Sequence, residues 1–301
     1  MPQRTLTISI NAADCPIICK HCFQRGSKYK HMELNDFKWT FEQIRNYCNQ
    51  NDFKFSPILL HEHLAHPEAP KLFEYWFKEY TGIWNTIQTD SIPLAVRKDW
   101  KELIKSLKKI GVTQFSTTIH GMGEYHDKVV NKSGAYKEFR TAVKRVKSMG
   151  MDYRCNIILT KDNLKNIDLL IDDLNNLGII NISFDIASYV PMKRFRKYES
   201  KRPELSDFAS QIELIKSINT NKRKKEIFNN LENYTEKEYV NKIINLTEKV
   251  DPYKYTSENN IRLTCTNEFD IYSGCGRFYG SYYGNIKKEN INKILDKAVD
   301  S

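Results

Sequence analysis

Nowhere in this chain do about 18 apolar residues run together, the length a membrane-spanning helix requires. The first residues, "MPQRTLTISINAADC", likewise lack the apolar core of a secretion signal. Both absences point to a cytoplasmic protein. Its seven cysteines are an odd number, and in a reducing compartment they are not expected to form a disulfide framework. There is no low-complexity tract and no internal repeat beyond a strand–helix period. What is present is material for a substantial core: 40% of the 301 residues are hydrophobic and 12% aromatic, enough for one large domain or a domain with an appendage.

The formal net charge is +10. Much of the excess lies in "MKRFRKYESKR" (192–202) and "NKRKK" (221–225), without the regularly interleaved aromatics of a single-strand-binding surface. A solvated face is the plainer reading. A polyanionic partner such as tRNA stands as the alternative, and no membrane partner is expected.

Short β-branched runs alternate with amphipathic helical patterns up to about residue 190. Candidate strands are 5–10, 54–60, 83–89, 113–119, 153–160 and 179–186, and helical patterns cover 36–50, 68–80, 96–110, 135–149 and 163–177. Gly111, Gly150 and Gly178 each follow a helix and precede a strand, as left-handed C-caps do. Six βα units predict an α/β fold with an open, partial (β/α)6 barrel over 1–190. Residues 191–301 read as a smaller α+β extension packed on the barrel: two polar helices over 204–248, a Gly- and Tyr-rich hairpin over 261–284, and a closing helix over 287–299.

Cys15, Cys19 and Cys22 stand in a C-x3-C-x2-C spacing in the loop after the first strand. Four such thiolates would close a structural zinc site or saturate a cubane cluster, whereas three leave one metal position open. An iron without a protein ligand can bind a small molecule directly. A zinc site completed by His21 or His31 is the competing reading, and a non-enzymatic zinc-binding module is its functional counterpart.

These residues resemble the radical S-adenosylmethionine (radical SAM) superfamily, in which C-x3-C-x2-C follows strand one of a partial (β/α)6 barrel. The resemblance implies one [4Fe–4S] cluster held by Cys15, Cys19 and Cys22. Its open iron would chelate SAM, and reductive cleavage would give a 5'-deoxyadenosyl radical that abstracts a substrate hydrogen. Where the family carries Gly-Gly-Glu-Pro after strand two, this chain has "LLHEHLAHPEAP", with Glu62 in the place of the SAM-binding glutamate and both glycines replaced. "TIHGMGEYHD" resembles the family's segment after strand four, which assigns Thr118 to the SAM carboxylate or ribose. Lys132 stands nearest to the family's following arginine, "NIILTKDN" resembles the strand-five segment and assigns Asn156 to the nucleoside pocket, and Phe23 is placed near the adenine. The implied partners are SAM, a small-molecule or peptide substrate, and an electron donor such as flavodoxin or ferredoxin.

Five histidines, His61, His63, His66, His120 and His126, follow strands two and four, at the end of a barrel where active sites are built. They read as hydrogen-bonded pocket walls, with His63 and His120 as candidate substrate contacts; "HEH" with His120 would alternatively make a metal hydrolase centre. Cys48 and Cys155 read as buried structural thiols. Cys265 and Cys275, in a hairpin followed by "YYGNIKKENINKIL", resemble the end of a SPASM/twitch extension without its auxiliary-cluster cysteines. Two thiols cannot complete a second cubane, and both are candidate hydrogen donors to a substrate radical.

Overall fold

Strand β1 (Thr5–Ile10) has β2 (Lys54–Ile58) parallel on one side and β7 (Asn260–Cys265) parallel on the other. Strands β8 (Asp270–Ser273) and β9 (Tyr282–Asn285) continue this sheet antiparallel, in the order β2-β1-β7-β8-β9. A second, wholly parallel sheet runs β3 (Thr86–Gln88), β4 (Gln114–Ile119), β5 (Asp152–Leu159) and β6 (Asn181–Ile186). These positions come from a computed structural model, which describes residues 3–22, 30–59, 61–79, 85–187, 200–220, 225–248, 260–274 and 280–300. The fold is α/β and has the elements of a partial (β/α)6 barrel: β1 and β2 run parallel in one sheet, and β3 to β6 run parallel in the other. Contacts sort the chain into two units, one of Met1–Ile18, Cys22–Ile83 and Val250–Ser301, the other of Cys19–His21 and Trp84–Lys249.

In the first unit, side-chain alternation decides which face is buried. Leu6, Ile8 and Ile10 of β1 stand in register with Ile261, Leu263 and Cys265 of β7, and all six are buried. Thr7 and Ser9 share the opposite face with Arg262 and Thr264. Helix α1 (Leu34–Gln50) buries Leu34, Phe37, Phe41, Ile44 and Cys48 at helical spacing.

The second unit carries most of the helices: α3 (Ile92–Val96), α4 (Trp100–Lys109), α5 (Gly123–Val130), α6 (Ala135–Ser148), α7 (Lys161–Leu164) and α8 (Ile167–Asn176), then α9 (Ile212–Ile218), α10 (Lys225–Asn229) and α11 (Glu236–Glu248). Helices α2 (Ala69–Glu79) and α12 (Ile291–Val299) complete the first unit. Gly111, Gly150 and Gly178 do have positive φ, +100°, +65° and +74°, as their C-cap positions require.

Three expectations change. The 96–110 pattern begins as a helix only at Trp100, because Arg97 turns back on Asp99 with two hydrogen bonds of 2.8 and 2.7 Å. The 163–177 pattern is broken after Leu164: the Asn163 side chain reaches the His120 and Ile158 carbonyls at 2.8 and 2.7 Å and accepts from the Thr160 amide. Where two helices are expected over 204–248, the described residues form three α-helices, α9, α10 and α11. Phe208, Phe228 and Tyr239 of this region meet edge to face, with centroids 6.4 and 6.1 Å apart, so the polar-looking segment buries an aromatic cluster. The basic stretches 192–199 and 221–224 lie outside the described residues.

Candidate active site

The loop after β1 is pinned at its base. Ala13 bridges His31 antiparallel, with Met32 N donating to Ala12 O at 2.8 Å and Asp14 N to Lys30 O at 2.9 Å. The turn between β7 and β8 braces it: Asn267 Nδ2 donates to Asp14 Oδ2 at 2.9 Å and to Lys30 O at 3.2 Å, and Lys30 pairs with Glu268 at 2.6 Å. Cys15, Cys19 and Cys22 therefore hang on one loop with fixed ends, each half-buried and none in a disulfide. Phe23 lies outside the described residues.

After β2 the chain turns sharply. His61 adopts φ +73°, a left-handed conformation that costs a residue with a Cβ about 1–2 kcal/mol. His61 Nε2 lies 2.8 Å from Asn11 Nδ2, so Nε2 accepts and the ring proton sits on Nδ1. Asn11 in turn accepts from Ser9 Oγ at 3.1 Å. His63 Nε2 is 3.1 Å from Ile10 O and 3.3 Å from Ala12 N, and His66 Nε2 donates to Met32 O at 2.7 Å while its Nδ1 accepts from Glu68 N at 3.0 Å. Three imidazoles are thus committed to the chain around β1 and the loop base. Between them Glu62 is 1% exposed.

Burial lowers His61 to about 4 and His63 to about 3, from an ordinary 6.5. The unfolded chain therefore takes up these protons below about pH 6.5 while the folded chain refuses them, so stability is lost as pH falls from there toward 4. Denaturant unfolding followed across pH should show a flat plateau above pH 7 and a decline below 6.5, of about 1.4 kcal/mol per pH unit for each proton. His63→Gln should flatten that decline; an unchanged slope would contradict the assignment.

In the second unit the Cys19–His21 turn sits at the C-terminal end of the sheet. Lys20 N donates to Val129 O at 3.0 Å, and the His21 ring meets His120 edge-on with centroids 4.5 Å apart. His126 stacks on His120 at 5.7 Å, and its Nδ1 accepts from His120 N at 3.3 Å. Burial holds His21 and His126 down at about 4 and His120 well below its ordinary value, so the pile is neutral. Gly121, between His120 and α5, has φ +148°, and a Cβ there would lie 2.6 Å from Tyr125 Cδ1. Thr118 and Asn156 are cross-strand partners on one face, and Asn156 Oδ1 accepts from Ser183 Oγ at 3.0 Å. Lys132 pairs with Glu138 at 2.6 Å.

Cys265 is 0% exposed, on the apolar face of β7 beside Ile10, and burial pushes its thiol up. Thr264, its neighbour, takes the polar face. Packing accounts for a thiol so placed, so Cys265→Ala should lower stability by about 1–2 kcal/mol while leaving SAM cleavage and product yield intact. Product lost with SAM cleavage retained would instead support the hydrogen-donor role. Cys275 lies outside the described residues.

Among the described residues no three His, Cys, Asp or Glu side chains are already gathered at metal-ligand spacing. Three half-buried thiols on a pinned loop do fit an iron–sulfur cluster, since thiolates converge on the cation that neutralises them and binding completes the site. The neutral His21 between Cys19 and Cys22 adds no competing charge.

The radical SAM superfamily profile matches residues 12–174. That is more than half of the chain, and the chain belongs to that superfamily. It is accordingly an enzyme whose cofactors are a [4Fe–4S] cluster and SAM. Among solved structures, Streptococcus suis SuiB bound to precursor peptide SuiA is similar at TM-score 0.58 and 14% identity, over 99% of this chain and 66% of that one. SuiB bound to S-adenosylmethionine is similar at TM-score 0.54 and 15% identity, over 97% and 66%. Native anSMEcpe with bound AdoMet and Cp18Cys peptide is similar at TM-score 0.57 and 13% identity, over 98% and 81%. At these identities the likeness is one of fold, and this chain spans 66% of the length of SuiB. No curated protein sequence matches.

Sequence reasoning missed three features. The β1–β7 pairing joins residues some 250 positions apart and leaves no local signal. The left-handed His61 was hidden because a histidine does not announce a positive φ. The His21–His120–His126 pile had a faint signal, a histidine inside the cysteine motif.

Proposed function

We propose that this chain abstracts a hydrogen atom from a peptide or small-molecule substrate, with Cys15, Cys19 and Cys22 holding the cluster. The observation that carries this reading is the pinned loop: three half-buried thiols between ends tied at Ala13 and His31. Bound there, the cluster and SAM would supply reductive cleavage and a hydrogen-abstracting radical. Glu62 would accept from the SAM ammonium, its buried carboxylate acting in a low-dielectric environment that strengthens such a bond. His61, tied to Asn11, and His63, whose Nε2 lies against the backbone between Ile10 O and Ala12 N, hold the Glu62 turn. Thr118 would offer its hydroxyl to the SAM carboxylate or ribose, and Asn156 a polar group to the nucleoside. Lys132, paired with Glu138, is the cation proposed to meet the SAM carboxylate.

Residues 1–190 are read as the catalytic core and 191–301 as an extension whose β7–β8 turn braces the cluster loop. The complexes of SuiB with SuiA and of anSMEcpe with Cp18Cys support a peptide substrate for this chain. A flavodoxin or ferredoxin is the proposed reductant. No described helix is long and apolar enough to cross a membrane, and a reducing cytoplasm suits an oxygen-sensitive cluster.

The test is to incubate reduced, reconstituted enzyme with SAM and fractions of host peptides and small molecules. A SAM-dependent mass change confined to one fraction is expected. A SAM-dependent mass change confined to RNA would replace this substrate class with the nucleic-acid alternative.

A further inference from the structure

The β3–β6 sheet has two unlike faces. Phe115, Ile119, Cys155, Ile157 and Phe184 are buried on one. On the other stand Ser116 opposite Arg154, then Thr118 opposite Asn156 opposite Ser183. A parallel sheet covered on both faces ordinarily reads as continuous apolar runs, so the alternation in "DYRCNIIL" marks a face reserved for polar company.

Arg154 is the cation on that face. It is half-buried, with its Nε shut off from solvent, and no described residue accepts a hydrogen bond from it. Ser116, directly across the strand pair, is 7% exposed. A shielded guanidinium N–H left without an acceptor is costly, and a planar guanidinium fork matches a carboxylate.

We propose that Arg154 and Ser116 form a subsite for a substrate carboxylate. This inference rests on the reading above that Thr118 and Asn156 serve the cofactor. The depth along the strands separates the two. The Cys19–His21 turn lies against His120, just beyond the end of β4. Ser116 precedes His120 by four residues, about 13 Å of strand, and Thr118 and Asn156 stand one step nearer that edge. The substrate carboxylate sits one strand step, about 7 Å, below the cofactor's contacts. The carboxylate belongs to an acidic side chain or terminus of a peptide, or to a small organic acid.

Holoenzyme labelled with 15N-arginine tests this. The Arg154 Nε–H resonance, assigned by its loss in Arg154→Lys, is followed with SAM alone, then with SAM plus glutarate or SAM plus a capped peptide containing one glutamate. A saturable shift with glutarate or the peptide, in the presence of SAM, is expected, and the probe that binds tells the small acid from the peptide. Arg154→Lys should weaken that probe's binding roughly tenfold by calorimetry, and Ser116→Ala should weaken it less. If SAM alone moves the resonance and the probes then do not, Arg154 serves the cofactor and the proposal falls. If nothing moves it, the proposal falls as well. SAM cleavage in the same sample reports separately on the function proposed above, so the two failures are distinguishable.

Discussion

Replacing any one of Cys15, Cys19 or Cys22 by alanine is expected to abolish both iron loading and SAM cleavage. A cubane cluster needs three protein thiolates to leave one open iron, and two cannot hold it. Cys48 and Cys155 are the internal controls: burial pushes Cys48 up to about 12 and Cys155 higher still, so neither offers a thiolate and their alanine variants should load iron normally. Each lies in the hydrophobic core, on α1 and β5, so those controls lose some stability instead. Iron counted per chain after anaerobic reconstitution decides the matter. Full loading with all three loop cysteines replaced would contradict the assignment.

Glu62→Ala is expected to weaken SAM binding by about 1.5–3 kcal/mol, roughly ten- to a hundredfold, and to leave the cluster in place. The carboxylate is buried, and its turn is fixed from both sides by His61 and His63. Glu62→Gln keeps the shape and removes the charge, so it should fall between the two. Calorimetric titration of SAM into each reconstituted variant gives the comparison. Unchanged affinity in Glu62→Ala would take Glu62 out of the cofactor site.

Much of this was legible in the residues alone. All six barrel strands lie within or one residue beyond the expected runs, because β-branched stretches between amphipathic helices leave few alternatives, and the three C-cap glycines mark the helix ends. The three-cysteine spacing named the chemistry. What was not legible depends on contacts between distant segments. The 261–284 segment does form an antiparallel hairpin in β7 and β8, yet its first strand extends β1 along its whole length. No residue pattern in either strand specifies that register. The same pairing turned Cys265 inward, since a strand's alternation has no direction until its neighbour is known. His63 and His120, whose place after strands suggests pocket walls and candidate substrate contacts, make hydrogen bonds and ring contacts within the chain that no residue pattern announces. Arg154 passed unnoticed because one arginine in a strand is unremarkable until its partners across the sheet prove polar.

The account rests on a cluster that cleaves SAM, and one measurement addresses it most directly: the yield of 5'-deoxyadenosine from SAM by anaerobically reconstituted, chemically reduced enzyme. Time-dependent 5'-deoxyadenosine from the wild-type chain, and none from the variant lacking Cys15, Cys19 and Cys22, is the predicted result. An iron-loaded, reduced wild-type enzyme that leaves SAM intact, or a triple variant that cleaves it equally well, would contradict the account.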